Sequence, residues 1–381
     1  MNLFDYLERH ACDSFETEPV HDLDLLVFSQ LVHAPLERLD GMRLGPKGAK
    51  LCTLVQDIWP ACHAGADLRK IVGNERRRVW DFITPGSRYG EVRLNDFTCR
   101  KDESTSSDAT QFAAALFTVG DIDIVAFRGT DSTIHGWRED FNMGLESPVP
   151  AQLLAANYPL AHCRRKSAIY ICGHSKGGNL AVYSGVMCNP SLRSRIARVC
   201  SFDGPGVSDY VRSSNGWSEM EDRLVSVVPQ DSVIGLLLGC EKQGRVVQSL
   251  DKGLLQHNPY VWLVEGDDFV DAKDLSFGSR VTGRACREFL STCTIEQRRV
   301  LIETVFELLE CVKVEKVTDL PKALKDNRSE LNTKYRALPE DRRSLVGKLF
   351  ASAVGSTFKS FGLEVMDSIG LKKKSNTEGK Q

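Results

Sequence analysis

The spacing of apolar residues divides the chain into stretches of different character. In residues 1–90, DLDLLVFSQL and AKLCTLVQDI place apolar residues three and four positions apart, which predicts amphipathic helices that pack on the core. In residues 91–265, short β-rich runs alternate with turns and helical patterns. The runs are VRLNDFTC, FAAALFTV, DIVAFRGT, AIYICGHS, ARVCSFDGPG, RLVSVVP, RVVQSL and YVWLVEG. This alternation is typical of a mostly parallel sheet with crossover helices, and it predicts an α/β fold.

Beyond residue 265 the strand signals fade. Residues 266–371 form a predicted helical region that includes IEQRRVLIETVFELLECV and RRSLVGKLFASAV, and residues 372–381 form a polar tail that we expect to be disordered. The segment KDESTSSD at 101–108 is typical of a solvated hairpin loop.

Near the C-terminus, apolar residues recur at helical spacing, followed by Lys372 to Lys374. They are Leu345, Leu349, Phe350, Val354, Phe358, Phe361, Val365 and Ile369. Such a face can make peripheral contact with a lipid surface, although an amphipathic helix more often docks on its own protein.

Composition narrows the possible partners. The formal net charge of the 381 residues is −2, so no overall charge attracts nucleic acid or an anionic membrane. The N-terminus has no basic start followed by an apolar run, and no apolar stretch is long enough to span a membrane, so we expect a cytoplasmic protein.

The 12 cysteines are dispersed and form no C-x-x-C pair, which favours reduced thiols over disulfides or a zinc site. Because the sequence shows no metal-ligand cluster, phosphate loop or nucleotide fingerprint, we expect no cofactor.

The strongest chemical signal is the segment AIYICGHSKGGNLAVYSGVM. Its β-branched run leads into Gly173-His174-Ser175-Lys176-Gly177, which matches G-x-S-x-G between a strand and a helix. A nucleophilic serine on so sharp a turn needs almost no side chain two residues before and after it, and glycine meets that need. The pattern predicts Ser175 as a nucleophile in an α/β-hydrolase core.

Chain order selects the partners of Ser175. In α/β hydrolases the serine precedes the acid and the acid precedes the histidine, and His257 is the only one of the eight histidines that follows Ser175. The acid must lie between them, and both Asp203 and Asp231 follow predicted strands. We prefer Asp231 because the acid usually comes late, while Asp203 precedes Gly-Pro-Gly and can simply form a turn.

An oxyanion hole needs two backbone N–H groups. We expect one from Lys176, which follows the nucleophile, and one from Thr130, which follows the apolar strand of DIVAFRGTDS. In the alternative interpretation this segment is only a turn, in which Arg128 pairs with an acid such as Asp140.

These motifs together resemble known hydrolases. FRGT, Trp137-Arg138-Glu139-Asp140 and GHSKGGNLA resemble segments of the class 3 lipases. With MNLFDYLE, DLDLLVFSQL, GWREDF and FDGPG they resemble more closely the bacterial Mbeg-like family of α/β hydrolases, over most of residues 1 to about 310. Asp231 and His257 are carried over through the segments PQDSVIG and QHNPY. The resemblance implies Ser175, Asp231 and His257 as catalytic residues, but no particular substrate.

One residue departs from the lipase pattern. Lipases usually carry an apolar residue after the serine, where this chain has Lys176. Its cation could lower the pKa of the serine or bind a substrate anion, but the simplest expectation is that it projects into solvent.

The expected activity is hydrolysis of a small-molecule ester or lipid through an acyl-enzyme. Acyl transfer by the same residues, and a non-catalytic scaffold that binds protein or membrane surfaces, remain alternatives.

Overall fold

A computed structural model describes residues 1–39, 44, 47–55, 74–102, 110–130, 143, 147–236, 244–310 and 320–353. The chain divides into two compact units. The first comprises Met1–Thr130 and Glu146–Ser276, and the second contains the helices from Phe277 onward.

The first unit is built on an eight-stranded sheet with its strands in sequence order. The strands are β1 Ala49–Lys50, β2 Arg93–Asp102, β3 Thr110–Val119, β4 Ile122–Phe127, β5 Ala168–His174, β6 Ile196–Phe202, β7 Leu224–Pro229 and β8 Arg245–Val247. Strands β1 to β4 pair antiparallel, and β4 to β8 pair parallel. The predicted α/β fold with a mostly parallel sheet is confirmed.

The helices of this unit are α1 Leu3–Arg9, α2 Asp22–Leu31, α3 Asn74–Asp81, α4 Pro150–His162, α5 Lys176–Met187, α6 Pro190–Arg193, α7 Asp209–Arg212 and α8 Asn215–Met220. Residues 51–55 are also helical. The predicted helix in DLDLLVFSQL is therefore confirmed. In AKLCTLVQDI, two residues join the sheet as β1, 51–55 are helical, and the last three lie outside the described residues.

The strand order explains why the chain needs its N-terminal helices. Right-handed crossovers that always advance to the next strand place their helices, here α4, α5, α7 and α8, on one face of the sheet. The other face would stay open to water. Leu25 and Phe28 of α2 cover it, in one core cluster with Phe117, Cys172 and Phe202 of the sheet.

Two ion pairs fix α2 to that face. Asp24 is fully buried and accepts hydrogen bonds from Arg88 Nε at 3.0 Å and Nη2 at 2.8 Å, and from the Tyr89 hydroxyl. Asp22 pairs with Arg198 of β6 at 2.5 Å. The N-terminal segment is thus a structural part of the sheet unit.

The segment YVWLVEG differs from its prediction as one strand. Pro259–Val261 is a 3₁₀ turn, and only Val264–Glu265, β9, is a strand, paired with Asp268–Phe269, β10. Pro259, the residue before this segment, begins the turn, where its missing N–H is not needed. Because this hairpin and Leu275 pack in the sheet unit, the helical region begins at Phe277 and not at 266.

From Phe277 onward, the described residues of the second unit are mainly helical. Its helices are α9 Phe277–Thr292, α10 Ile295–Glu310, α11 Leu320–Asp326, α12 Arg328–Ala337 and α13 Glu340–Ala353. Leu301, Leu324, Leu331 and Val346 are buried in its core, and Leu345 packs against that core.

Three sequence predictions lie outside the described residues, namely the hairpin loop at 103–108, the C-terminal residues from Val354 to Ile369 and the polar tail. In the described part of the chain, no helix combines the length and apolar character needed to cross a membrane. Eight cysteines of that part are free thiols, namely Cys12, Cys52, Cys99, Cys163, Cys172, Cys188, Cys200 and Cys293.

Candidate active site

Ser175 occupies a strained turn between β5 and α5. Its backbone angles are φ 59° and ψ −129°, a region that costs a non-glycine residue about 1–3 kcal/mol. Strain of this kind persists only where the surroundings hold it, and two hydrogen bonds do so. The Ser175 N–H donates to Phe202 O at 3.0 Å, and Gly178 N–H donates to Ser175 O at 2.8 Å.

The glycines on both sides of Ser175 are required by close backbone approach. A Cβ on Gly173 would lie 2.1 Å from Gly177 O, and a Cβ on Gly177 would lie 2.2 Å from Phe127 O. The G-x-S-x-G spacing therefore allows β5, α5 and the end of β4 to meet at one point.

The loop after β4 lies directly against this turn. A Cβ on Gly129 would lie 2.7 Å from His174 O and 3.4 Å from Ser175 Cβ. The next residue is Thr130, so the structure brings the segment predicted for the second oxyanion donor to the serine. Lys176 follows Ser175 as the first residue of α5.

Arg128 holds this loop in place. Its Nε donates to Val32 O at 2.7 Å, its Nη2 donates to Ala34 O at 2.8 Å, and its Nη1 pairs with Glu37. Among the described residues, Arg128 pairs with the acid Glu37. Asp140, the acid named in the alternative interpretation, lies outside them. The bonds clamp residues 32–37, which follow α2, onto the loop that carries Gly129.

His257 is paired with Asp203. The distance from His257 Nδ1 to Asp203 Oδ2 is 2.6 Å; the Asp203 carboxyl is 1% exposed, and the His257 side chain is 30% exposed. The other oxygen of Asp203 accepts from Ser232 Oγ and from Gly235 N–H at 3.2 Å. A carboxylate held on both sides in this way fixes the proton on Nδ1 and leaves Nε2 of His257 able to accept another.

The sheet register explains why Asp203 is well placed. His174 pairs with Phe202 across β5 and β6, so the next residues, Ser175 and Asp203, are neighbours at the carboxyl edge. Asp203 also has a positive φ of 45°. In the described residues no hydrogen bond joins Ser175 Oγ to the His257 ring, and such bonds are often long in unliganded sites.

The preference for Asp231 over Asp203 as the partner of His257 is wrong. Asp231 Oδ2 instead accepts from Gly253 N–H at 2.8 Å and from Gln256 Nε2 at 3.3 Å. These contacts organise the 3₁₀ turn Gly253–His257, which carries the histidine. Asp231 lies four residues beyond Val227, the β7 partner of Phe202, and so extends past the sheet edge.

His174 ties the histidine turn to the strand below it. Its Nε2 donates to His257 O at 2.8 Å, and the two rings lie 4.6 Å apart. Burial, and then the charge of His257, hold the pKa of His174 well below its ordinary value. The ring is therefore neutral and serves as a fixed donor.

Lys176 does not project into solvent, contrary to the simplest expectation. The residue is 1% exposed, and its Nζ donates to Gln111 O at 2.7 Å. A buried ammonium is costly unless it has hydrogen-bond partners, which indicates that this side chain fastens the start of α5 to β3.

Two residues that support the site were not predicted from the sequence, Asn179 and Ser232. Asn179 is fully buried, donates to Gly206 O at 2.6 Å, and accepts from Gln152 at 2.8 Å, so it fixes the loop after Asp203. Ser232 supports Asp203 from the PQDSVIG segment. The GGN and QDS triplets contain these residues but do not show their contacts.

The fold and site define an α/β protein whose mostly parallel sheet presents a strained serine beside a histidine that is paired with a buried aspartate. The chain belongs to the Mbeg1-like family, whose model matches residues 83–307. This match confirms the family resemblance found in the sequence.

The chain is also similar to the crystal structure of M37 lipase, with 13% identity and a TM-score of 0.31, over 56% of this chain and 68% of the lipase chain. No curated protein matches the chain.

Proposed function

We propose that this protein is a serine hydrolase that cleaves carboxylic esters, with Ser175 as nucleophile, His257 as general base and Asp203 as the acid. The observation that carries the proposal is the 2.6 Å bond from His257 Nδ1 to the buried Asp203, next to a serine held at positive φ. Strained backbone at such a turn and a buried carboxylate behind a histidine are the two features that this chemistry needs.

In the proposed reaction, His257 Nε2 takes the hydroxyl proton of Ser175 as its oxygen attacks the ester carbonyl. Asp203 keeps the Nδ1 proton in place and stabilises the imidazolium that forms. The backbone N–H groups of Lys176 and Thr130 are the proposed donors to the oxyanion. His257 then returns the proton to the leaving alcohol, and water cleaves the acyl-enzyme by the same route.

The site is supported from several directions. Asp231 and His174 position the turn that carries His257, and Arg128 positions the loop that carries Thr130. Preorganised hydrogen-bond donors to the developing oxyanion make the largest single contribution to the rate enhancement of many hydrolases.

The test is hydrolysis of p-nitrophenyl esters of increasing acyl length by the wild type and by Ser175→Ala. We expect turnover that Ser175→Ala abolishes and that Ser191→Ala, a change at a serine outside the site, leaves intact. Turnover that survives in folded Ser175→Ala would exclude Ser175 as nucleophile. A folded wild type that cleaves none of the esters would favour a non-catalytic scaffold, and release of product that depends on an added alcohol would favour acyl transfer.

A further inference from the structure

Three polar groups that lie near the Ser175 turn or the His257 turn have no hydrogen-bond partner among the described residues. His33 Nε2 and the Tyr260 hydroxyl are buried and have no hydrogen-bond partner, and Tyr260 is only 4% exposed. Within the described part of the chain, the partly buried Arg76 makes neither an ion pair nor a hydrogen bond. Buried polar groups are nearly always paired, so three unpaired groups in one region require an explanation.

His33 lies on the Ser175 side of this region. Its Cε1 is 3.6 Å from the position that a Cβ on Gly129 would take, and that position is 3.4 Å from Ser175 Cβ. The Arg128 clamp on Val32 and Ala34 fixes the backbone on both sides of His33.

Arg76 and Tyr260 approach from the side of the histidine turn. Glu75 accepts a hydrogen bond from Asn258 Nδ2 at 2.8 Å, which ties the start of α3 to the residue after His257. Tyr260 follows two residues later and stacks on Phe4 at 5.3 Å. The start of α3 and Tyr260 are therefore both close to the His257 turn.

The electrostatics of this region favour an anion. The charge of Arg76 contributes, after burial, to lowering the pKa values of His33 and His174, and it acts on Tyr260. The pKa of Arg76 itself is lowered, first by burial. Of two nearby carboxylates, Glu37 is paired with Arg128, whereas Glu75 accepts from the neutral Asn258 and its charge acts on Arg76 without an ion pair. A partly desolvated guanidinium that makes no ion pair is costly, and a bound anion would remove much of that cost.

We propose that Arg76, His33 and Tyr260 form a subsite for an anionic group of the substrate, a carboxylate or a phosphate, next to Ser175. Its role in turnover rests on the proposed esterase function, whereas anion binding itself does not. The guanidinium supplies the charge, and the neutral imidazole and the phenol each donate one hydrogen bond.

The first test compares two p-nitrophenyl esters of the same acyl length, the valerate and the hydrogen glutarate, whose acyl chain ends in a carboxylate. We expect kcat/KM to favour the hydrogen glutarate in the wild type, and Arg76→Gln to reduce that preference by about tenfold or more. The matched control is Arg78→Gln, which removes the same charge from an exposed position on α3 and should keep the preference.

A wild type without preference for the anionic ester, or an Arg76→Gln variant with an unchanged preference, overturns the subsite. In both cases esterase activity that depends on Ser175 would persist, so failure of the subsite is distinct from failure of the proposed function.

The second test does not need catalysis. Thermal unfolding of Ser175→Ala is measured with inorganic phosphate, with glutarate, and with sodium chloride at equal ionic strength. We expect phosphate or glutarate to raise the Tm above the chloride value, and the additional change Arg76→Gln, but not Arg78→Gln, to abolish the rise. The more effective anion identifies phosphate or carboxylate as the group bound. Equal Tm values in all three salts overturn the proposal even if the esters are cleaved.

Discussion

Replacement of Asp203 by Asn tests which acid serves His257, because the structure constrains how the new amide can lie. Gly235 N–H and Ser232 Oγ both point at Oδ1, and Gly235 N–H can only donate. The amide oxygen must therefore stay there, and the amide NH₂ must face His257. An NH₂ group donates to Nδ1, so the ring proton moves to Nε2, where the ring can no longer accept the proton of Ser175.

The expected magnitude follows from this change of tautomer. In a triad of this type, loss of the correct tautomer lowers kcat about 10⁴-fold, which corresponds to about 5 kcal/mol of transition-state stabilisation at 1.36 kcal/mol per factor of ten. Asp231→Asn keeps an oxygen that can accept from Gly253 N–H. We expect Asp231→Asn to lower kcat by less than about tenfold, since only one charged hydrogen-bond acceptor becomes neutral.

The assay is kcat/KM for a p-nitrophenyl ester that the wild type cleaves, with thermal unfolding to confirm that both variants fold. Asp203 is excluded as the acid if Asp231→Asn loses activity about 10⁴-fold while Asp203→Asn stays within tenfold of the wild type. That result would make Asp231, which chain order favours, the acid that serves His257.

Three further predictions concern the supports of the site. Gly177→Ala places a Cβ 2.2 Å from Phe127 O and should lower the free energy of unfolding by about 1–3 kcal/mol, measured by urea denaturation. An unchanged midpoint of unfolding would show that the backbone can shift to accept the Cβ without cost. His174→Ala leaves His257 O without its donor and should lower kcat with little change in KM, whereas an effect on KM alone would rule out a positioning role. The folded chain lowers the pKa values of His33 and His174, so near pH 6.5 these histidines take up protons in the unfolded chain but not in the folded chain. Above pH 6.5 the two histidines should not change the free energy of unfolding. Below pH 6.5 each should lower it by up to ~1.4 kcal/mol for every pH unit. His33→Gln should remove about half of this slope in urea titrations, and an identical slope in wild type and variant would contradict it.

The sequence predicts the parts of this protein that depend on local pattern. Strand periodicity locates β2 to β8, and the G-x-S-x-G spacing locates the strained turn at Ser175, because close approach leaves no room for a Cβ at Gly173 and Gly177. Chain order selects His257 as the candidate base, since in α/β hydrolases the histidine follows the serine.

Contacts between distant segments are less accessible to sequence reasoning. The choice between Asp203 and Asp231 depends on the register of β6 against β5, which the sequence does not specify. The burial of Lys176 depends on the position of Gln111 O at the start of β3. The role of Glu37 depends on the return of the chain after α2 to the end of β4. In each case a charged residue has its partner more than 25 positions away in the sequence.

Intact-mass analysis after treatment with a fluorophosphonate shows whether Ser175 is an activated nucleophile. We expect a single adduct on the wild type, its loss in Ser175→Ala, and much slower labelling in Asp203→Asn. A folded wild type that acquires no adduct, or an adduct that persists in Ser175→Ala, would contradict the role of Ser175 as nucleophile.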